Sequence, residues 1–245
     1  MRVIEPAVRP DLTISPPGQV VRTVIHGKPV LFFVNQPRDA IQRHHAMGEF
    51  YEREELEIIR QWCPPGAVFC DIGANIGNHV LYALTFLNPA KVIVFEPNPV
   101  AIAILTANIG LNGGLDRCDL THLGIGLSDR NAEHFSISAP HRNLGAGQVV
   151  RSQNEDGFPL RRADGLLRDE APSFLKIDVE GMEMAVLAGL SDTIARHRPR
   201  IFVEVDRGNL DAFAAWCDGA GYAVKDNYAR YPTNMNFLIV PQPAA

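Results

Sequence analysis

The chain has 245 residues, 46% of them hydrophobic and 21% charged, which supplies a sizeable core and excludes a disordered chain. Its 28 acidic and 23 basic residues leave a net charge of -5, which argues against a generally cationic nucleic-acid binder. No apolar run approaches the roughly 20 residues that cross a bilayer, and the opening MRVIEPAVRPDL lacks the apolar stretch of a secretory signal.

Read in chain order, the first twenty residues are proline-rich and poorly patterned, an extended arm. Val20 to Ile25 and Val30 to Val34 are β-rich runs around His26-Gly27-Lys28-Pro29 and predict a hairpin. His44 and His45 read as a solvated loop pair, with a lid over a cleft as the functional alternative. Tyr51 to Trp62 predicts a helix. Leu56, Ile58, Ile59 and Trp62 share a face, Glu52, Glu54 and Glu55 load the first turn, and Pro64-Pro65-Gly66 ends it. From Ala67 the rhythm becomes strand, glycine-rich turn, helix. Strands are expected at Ala67 to Cys70, Lys91 to Phe95, Leu120 to Leu127, Phe174 to Ile177, Ile201 to Val205, Tyr222 to Lys225 and Asn236 to Val240. Helices are expected at Asn78 to Leu87, Pro99 to Leu111, Met182 to Leu190 and Leu210 to Asp218, with Gly219 closing the last. Glu133 to Pro172 is irregular, with a short strand around Phe135 to Ile137. This alternation implies a mostly parallel sheet covered on both faces, which binds ligands beyond its C-terminal strand ends. The cysteines Cys63, Cys70, Cys118 and Cys217 show no metal-binding spacing and read as small buried hydrophobes of a chain from a reducing cytoplasm.

Asp71-Ile72-Gly73-Ala74-Asn75-Ile76-Gly77-Asn78 joins the first of the alternating strands to its helix. Its glycines let the backbone turn sharply and approach a ligand, and Asn75 can adopt the left-handed conformation where a middle glycine would be expected. The pattern is neither the dinucleotide fingerprint nor a phosphate loop. Asp71 is a poor neighbour for a pyrophosphate and a good one for a cationic amino-acid group, which favours S-adenosylmethionine over NAD or ATP. Glu96 ends the next strand, 25 residues after Asp71, and can accept from both hydroxyls of a ribose. Pro97-Asn98-Pro99 then starts the following helix sharply.

With these residues on the page, the sequence resembles the FkbM-type family of S-adenosylmethionine-dependent methyltransferases. The matching pieces are Phe50-Tyr51-Glu52, residues 71–77, Phe95-Glu96-Pro97-Asn98, Leu127-Ser128-Asp129, Leu175 to Gly181 with Glu183, and Arg198 to Glu204. The resemblance implies an α/β, class I methyltransferase (Rossmann-like) three-layer sandwich. Its sheet would have seven strands, mostly parallel with the last antiparallel, and an N-terminal hairpin and helix would be added to it. It implies that residues 1–63 pack on a methyltransferase domain spanning 64–245. It also implies methyl transfer to a hydroxyl of a sugar or natural product. Asp71, Gly73, Ala74, Asn75 and Gly77, with Asn78 at the end of the turn, would wrap the methionine part of the cofactor. Glu96, with Pro97 and Asn98 beside it, would hold the ribose. Ser128 and Asp129 would lie near the adenine, and Asp178 near the methionine amine. The family's Thr-Leu-Asp-like step reads Arg162-Ala163-Asp164 here, so only Asp164 is kept.

An alcohol acceptor needs its proton removed, by a base or with help from a metal. Asp178, Glu180 and Glu204 are expected to converge above the sheet. Asp178 or Glu180 can act as base; alternatively Asp178 and Glu204 can bind Mg²⁺ or Ca²⁺. With no third ligand evident, the metal reading is not favoured and no metal ligands are assigned. The bland readings are helix-dipole charges for Glu180 and Glu183 and an ion pair from Glu204 to Arg200 or Arg207. His79 reads as structural or close to the cofactor. His141-Arg142-Asn143 lies in the insertion, and residues 134–165, with the N-terminal arm, are expected to shape the acceptor pocket. A small-molecule acceptor is the expected partner, with no membrane and no nucleic acid, and a homo-oligomer is left open. Methylation of RNA or protein, a non-catalytic Rossmann-like binding domain and an NAD-dependent oxidoreductase are the competing readings.

Overall fold

The computed structural model describes residues 17–138, 147–152 and 157–243. His141-Arg142-Asn143 and most of the N-terminal arm lie outside the described residues. The hairpin forms as expected: β1 (Gln19–Ile25) pairs antiparallel with β2 (Lys28–Val34) through a turn in which His26 and Gly27 both have positive φ. One face of β2 sends Val30, Phe32 and Val34 into an apolar cluster with Phe50, Leu56, Leu81 and Tyr82. Helix α2 (Arg53–Trp62) contributes Leu56 to this cluster. The free edge of β2 is capped by amides of helix α4 (Pro99–Leu111) and its end. Phe33 N donates to Asn108 Oδ1 at 2.7 Å, and Asn112 exchanges hydrogen bonds with the Leu31 backbone. Such capping satisfies backbone groups that an edge strand would otherwise expose.

The main sheet has seven strands: β3 (Val68–Ile72), β4 (Lys91–Phe95), β5 (Cys118–Asp119), β10 (Phe174–Ile177), β11 (Arg200–Asp206), β12 (Tyr222–Tyr228) and β13 (Asn234–Pro241). They lie in the order β12-β13-β11-β10-β3-β4-β5, with β13 antiparallel to both neighbours and the other pairings parallel. The central strands are continuous apolar runs because both faces are covered. Cys70, Ile72, Leu175 and Ile177 face a cluster with Val186 and Leu187 of α6 (Glu183–Gly189) and Phe213 of α8 (Leu210–Ala220). Phe69, Val92, Val94 and Phe174 face the opposite cluster, with Val80 of α3 (Asn78–Tyr82) and Leu105 of α4.

Several boundaries differ from expectation. The Leu120 to Leu127 strand does not form as one unit. Thr121 turns back onto Asp119 Oδ1, and only β6 (Gly126–Leu127) is extended, in a different sheet. That sheet has the order β6-β9-β7-β8 and organises the stretch expected to be irregular, with β7 (Ala132–Ser138), β8 (Gln148–Arg151) and β9 (Phe158–Arg161). The helix expected at Asn78 to Leu87 widens into a π-turn from Ala83 to Leu87. Helix α8 runs past Gly219 and closes at Gly221, whose φ of 67° is the left-handed C-cap conformation. Among the described residues three short α-helices have no counterpart in the sequence reading, α1 (Gln42–Ala46), α5 (Ala163–Leu166) and α7 (Ser191–His197).

Candidate functional site

The site is built at the C-terminal ends of β3, β4, β10 and β11. After β3 the turn passes through three left-handed residues, Gly73 (φ 78°), Asn75 (φ 49°) and Gly77 (φ 86°), and Asn75 takes the conformation expected of it. Gly73 N and Ala74 N both donate to Phe95 O at 3.0 Å, which ties the turn to β4. Only glycine fits at position 73: an added Cβ would lie 1.8 Å from Asp178 O. The turn therefore abuts the loop after β10, and the two together form a wall between two cavities.

The first cavity is lined by Gly73 and Asn75, by Phe95, Glu96, Pro97 and Asn98, and by Asp178 and Glu180. Its lining is otherwise largely apolar, with Ile125 and, from the four-stranded sheet, Leu127, Ile137, Val149 and Leu160. Glu96 accepts from Asn75 N at 2.7 Å on one oxygen and from Asn98 N at 2.8 Å on the other. Each oxygen keeps a second lone pair for a ligand hydroxyl. Burial pushes the Glu96 carboxyl up to about 7, against the pull of those two backbone donors.

The second cavity lies across the wall. Gly73, Asn75, Asp178 and Glu180 belong to both, and Ala74, Asn78, His79, Lys176, Glu52 and Glu204 line the second alone. Lys176, 3% exposed, sits at its floor, 3.3 Å from Asp71 Oδ1, 3.4 Å from Asp178 Oδ2 and donating to Gly73 O at 2.9 Å. Burial works against the ammonium, but Asp71, Asp178 and Glu52 together outweigh it and hold the Lys176 pKa above the ordinary lysine value. The Asp71 pKa is also raised, but by burial: the carboxyl is fully buried, and its one lysine does not offset that. Glu180 and Glu52 are pushed up to about 8 and Glu204 to about 10, first by burial and then by the negative charge of Asp178. Ligand oxygens of Asp178, Glu180 and Glu204 lie within 4.8 Å of one another, so the three carboxylates do converge.

Other expected site residues fall elsewhere. Asp71 lines neither cavity and reaches the site only through Lys176. Gly77 packs against Leu105. Asn78 anchors the N-terminal segment by exchanging hydrogen bonds with the Tyr51 backbone at 3.0 Å. Ser128 is buried behind Leu127, where a Cβ at Gly189 would meet its carbonyl oxygen at 2.1 Å, and Asp129 is exposed; neither lines a cavity. Glu183 is not in the cleft: it accepts from Asp206 N and Asn209 Nδ2 and fixes the end of β11. The ion pair considered for Glu204 does not form with Arg200, which donates to Trp62 O instead. His45 is no lid. It is fully buried, stacked on Phe32 at 4.3 Å, and burial lowers its pKa to about 4. The insertion was expected to shape the acceptor pocket; its strands line the first cavity, because β9 pairs with β6 and β7 pairs with β9. The second cavity is closed by Ala40, Ile41, Tyr51 and Glu52 and by Tyr231, Thr233 and Asn234. Of these Tyr51 and Glu52 carried a signal, in the Phe50-Tyr51-Glu52 piece, where Glu52 read as a helix charge. In the structure Glu52 is left-handed (φ 57°) and turns into the cavity before α2 begins.

The Methyltransferase FkbM domain family matches residues 71–224, more than half of the chain. The 2-O-methyltransferase NoeI of Sinorhizobium fredii is 30% identical over 185 residues, which cover 67% of this chain and 70% of NoeI. The hexuronic acid methyltransferase AglP of Haloferax volcanii is 27% identical, covering 58% of each chain. Of three curated relatives, AglP among them, the chain spans 9%, 62% and 58% of the length. A methyltransferase FkbM structure from Methylobacillus flagellatus superposes with a TM-score of 0.50 at 19% identity, over 70% of this chain and 43% of that one, and shares the class I methyltransferase fold. The chain belongs to the methyltransferase FkbM domain family.

Proposed function

We propose that this chain is an S-adenosylmethionine-dependent O-methyltransferase acting on a hydroxyl of a sugar or other small natural product. One observation carries the reading: an apolar slot ending at a ribose-accepting carboxylate and an acid-lined cavity share a wall made of Gly73, Asn75, Asp178 and Glu180. A methyl group displaced in line needs donor and acceptor on opposite sides of one narrow passage, and this wall supplies it. The names of NoeI, a 2-O-methyltransferase, and of AglP, a hexuronic acid methyltransferase, support the acceptor class.

The first cavity fits the cofactor. Ile125, Leu127 and Leu160 suit an adenine, Glu96 retains lone pairs for ribose hydroxyls, and the buried Asn75 Oδ1 has no partner within the chain. S-adenosylmethionine, when bound, supplies an electrophilic methyl on a sulfonium sulfur. The chain's residues then hold, orient and deprotonate the acceptor. With the methyl group supplied by the cofactor, the acceptor's hydroxyl proton would pass to a carboxylate, for which we assign Glu180 or Asp178. Glu180 faces both cavities, and its pKa of about 8 matches a proton acceptor working near neutrality. Asp178 is oriented by Lys176 at 3.4 Å. An acid-lined acceptor cavity repels a phosphate backbone, which disfavours RNA.

Calorimetry with S-adenosylhomocysteine tests the cofactor half, with micromolar affinity expected. Incubation with ¹³C-methyl-labelled S-adenosylmethionine and a panel of sugars, uronic acids and hydroxylated macrolides tests the other half, with a new O-methyl resonance expected. No binding refutes the cofactor assignment; N- or C-methyl products refute the acceptor assignment.

A further inference from the structure

We infer that the acid-lined cavity seats a divalent cation of the hard, oxygen-seeking class, held by one carboxylate oxygen each from Asp178, Glu180 and Glu204. The inference rests on reading that cavity as the acceptor side. The three candidate oxygens lie within 4.8 Å of one another, a spread that an oxygen shell of about 2.0–2.6 Å radius accommodates.

The ammonium nearest this cluster is only partly available to it: Lys176 Nζ donates to Gly73 O at 2.9 Å and lies 3.3 Å from Asp71 Oδ1 and 3.4 Å from Asp178 Oδ2. Among the described residues no lysine or arginine forms an ion pair with Glu180 or Glu204. Glu52 adds a fourth carboxylate to the same wall. Several part-buried carboxylates beside one ammonium can ionise together only if a further positive charge joins them.

A second observation points independently to a guest. His79 is 6% exposed and lines this cavity, and its Nε2 has no hydrogen-bond partner; the nearest carboxylate oxygen, Glu52 Oε2, is 3.7 Å away. Asn234 also lines this cavity, and its Oδ1 atom is likewise buried without a partner. Buried polar atoms of folded proteins are almost always satisfied, so two orphans facing one acid-lined space mark the place of something that enters it. A cation carrying water supplies both the positive charge for the carboxylates and hydrogen-bonding partners for His79 and Asn234. One oxygen of each carboxylate on the ion leaves the other free to take the acceptor's proton.

The test uses Mn²⁺ as the probe, added to the full chain with and without S-adenosylhomocysteine. The free-Mn²⁺ electron paramagnetic resonance signal reports binding and calorimetry reports the nucleoside. One equivalent of Mn²⁺ should bind, and Mg²⁺ should compete for it. Glu204→Gln should weaken Mn²⁺ at least tenfold, the usual scale for a disturbed metal site, with unchanged S-adenosylhomocysteine affinity, because Glu204 lies outside the first cavity. Asp178→Asn, checked for fold by circular dichroism, gives a second ligand variant. Nucleoside binding without Mn²⁺ binding overturns the cation site and leaves the methyltransferase reading standing. Mn²⁺ binding indifferent to both substitutions also overturns the site. Loss of nucleoside binding in the unaltered chain overturns the reading beneath it.

Discussion

The two cavities on either side of the Gly73–Asp178 contact are made in opposite ways. The first is mostly apolar, has Glu96 at one end, and takes much of its lining from two short segments, residues 72–75 and 95–98. The second is crowded with carboxylates and draws on segments far apart in sequence, residues 40–52, 176–180, 204 and 231–234. The contrast follows from what each side must do. A fixed nucleoside is held by a standard local device, a left-handed turn followed by a strand-end acid. An acceptor is recognised by whatever loops the fold brings to the other side, and such loops carry specificity.

The largest expected effect comes where the two sides share a foundation. Lys176 is the one ammonium beneath both, tied to Asp71, Asp178 and the Gly73 carbonyl. Lys176→Met leaves the fully buried Asp71 without its counter-charge. Breaking a buried pair from one side costs about 3–5 kcal/mol, and thermal unfolding should fall by about 10 °C or more. Binding on both sides should be lost together. A variant that keeps its melting temperature and loses only acceptor turnover would show that Lys176 serves the second cavity alone.

The effect next in size isolates the first cavity. Glu96→Gln removes a charged acceptor of ligand hydroxyls, and such bonds are worth about 1.5–3 kcal/mol, so S-adenosylhomocysteine affinity should drop at least tenfold. The substitution also tests a pH dependence. Burial raises the Glu96 carboxyl from the ordinary 4.5 to about 7 in the free protein. The stability this contributes is full below 4.5 and is lost as pH rises through about 7. Ribose hydroxyls donating to the carboxylate favour its ionised form, so affinity should climb with pH towards about 7 and then level, with proton release on binding below that point. Calorimetry in two buffers of different ionisation enthalpy measures the release. A profile as flat in the unaltered protein as in Glu96→Gln would remove Glu96 from the ribose.

The same division explains what was legible in the sequence. The β3 turn, Glu96 and the order of strands could be read because glycine, asparagine and a strand-end acid carry their conformational reasons with them. The convergence of Asp178, Glu180 and Glu204 was legible from their positions at neighbouring strand ends. Tyr231, Thr233 and Asn234 gave no signal, since they meet Glu204 only because β13 runs antiparallel beside β11. His45 was misread because a histidine next to another histidine looks solvated until Phe32 of the hairpin is seen stacked on it. The four-stranded sheet was missed for a similar reason: most of its strands are short, and β6 finds its partner only in β9, far along the sequence.

The smallest effect is the finest test of whether the sides are separable. Tyr51 and Tyr231 join their hydroxyls at 2.6 Å and bridge the N-terminal segment to the β12–β13 turn over the second cavity. The turn is held independently by Arg230, which pairs with the buried Glu55 and with Glu54. Tyr231→Phe therefore removes one hydrogen bond without releasing the turn. Tyr231 is 40% exposed, so water replaces part of what is lost, and the net cost should be about 0.5–1 kcal/mol. Acceptor KM should rise by a factor of up to about 5, with S-adenosylhomocysteine affinity unchanged, because Tyr231 does not line the first cavity. If nucleoside affinity moves with KM, the wall at Gly73 and Asp178 transmits strain between the cavities, and they must be treated as one site.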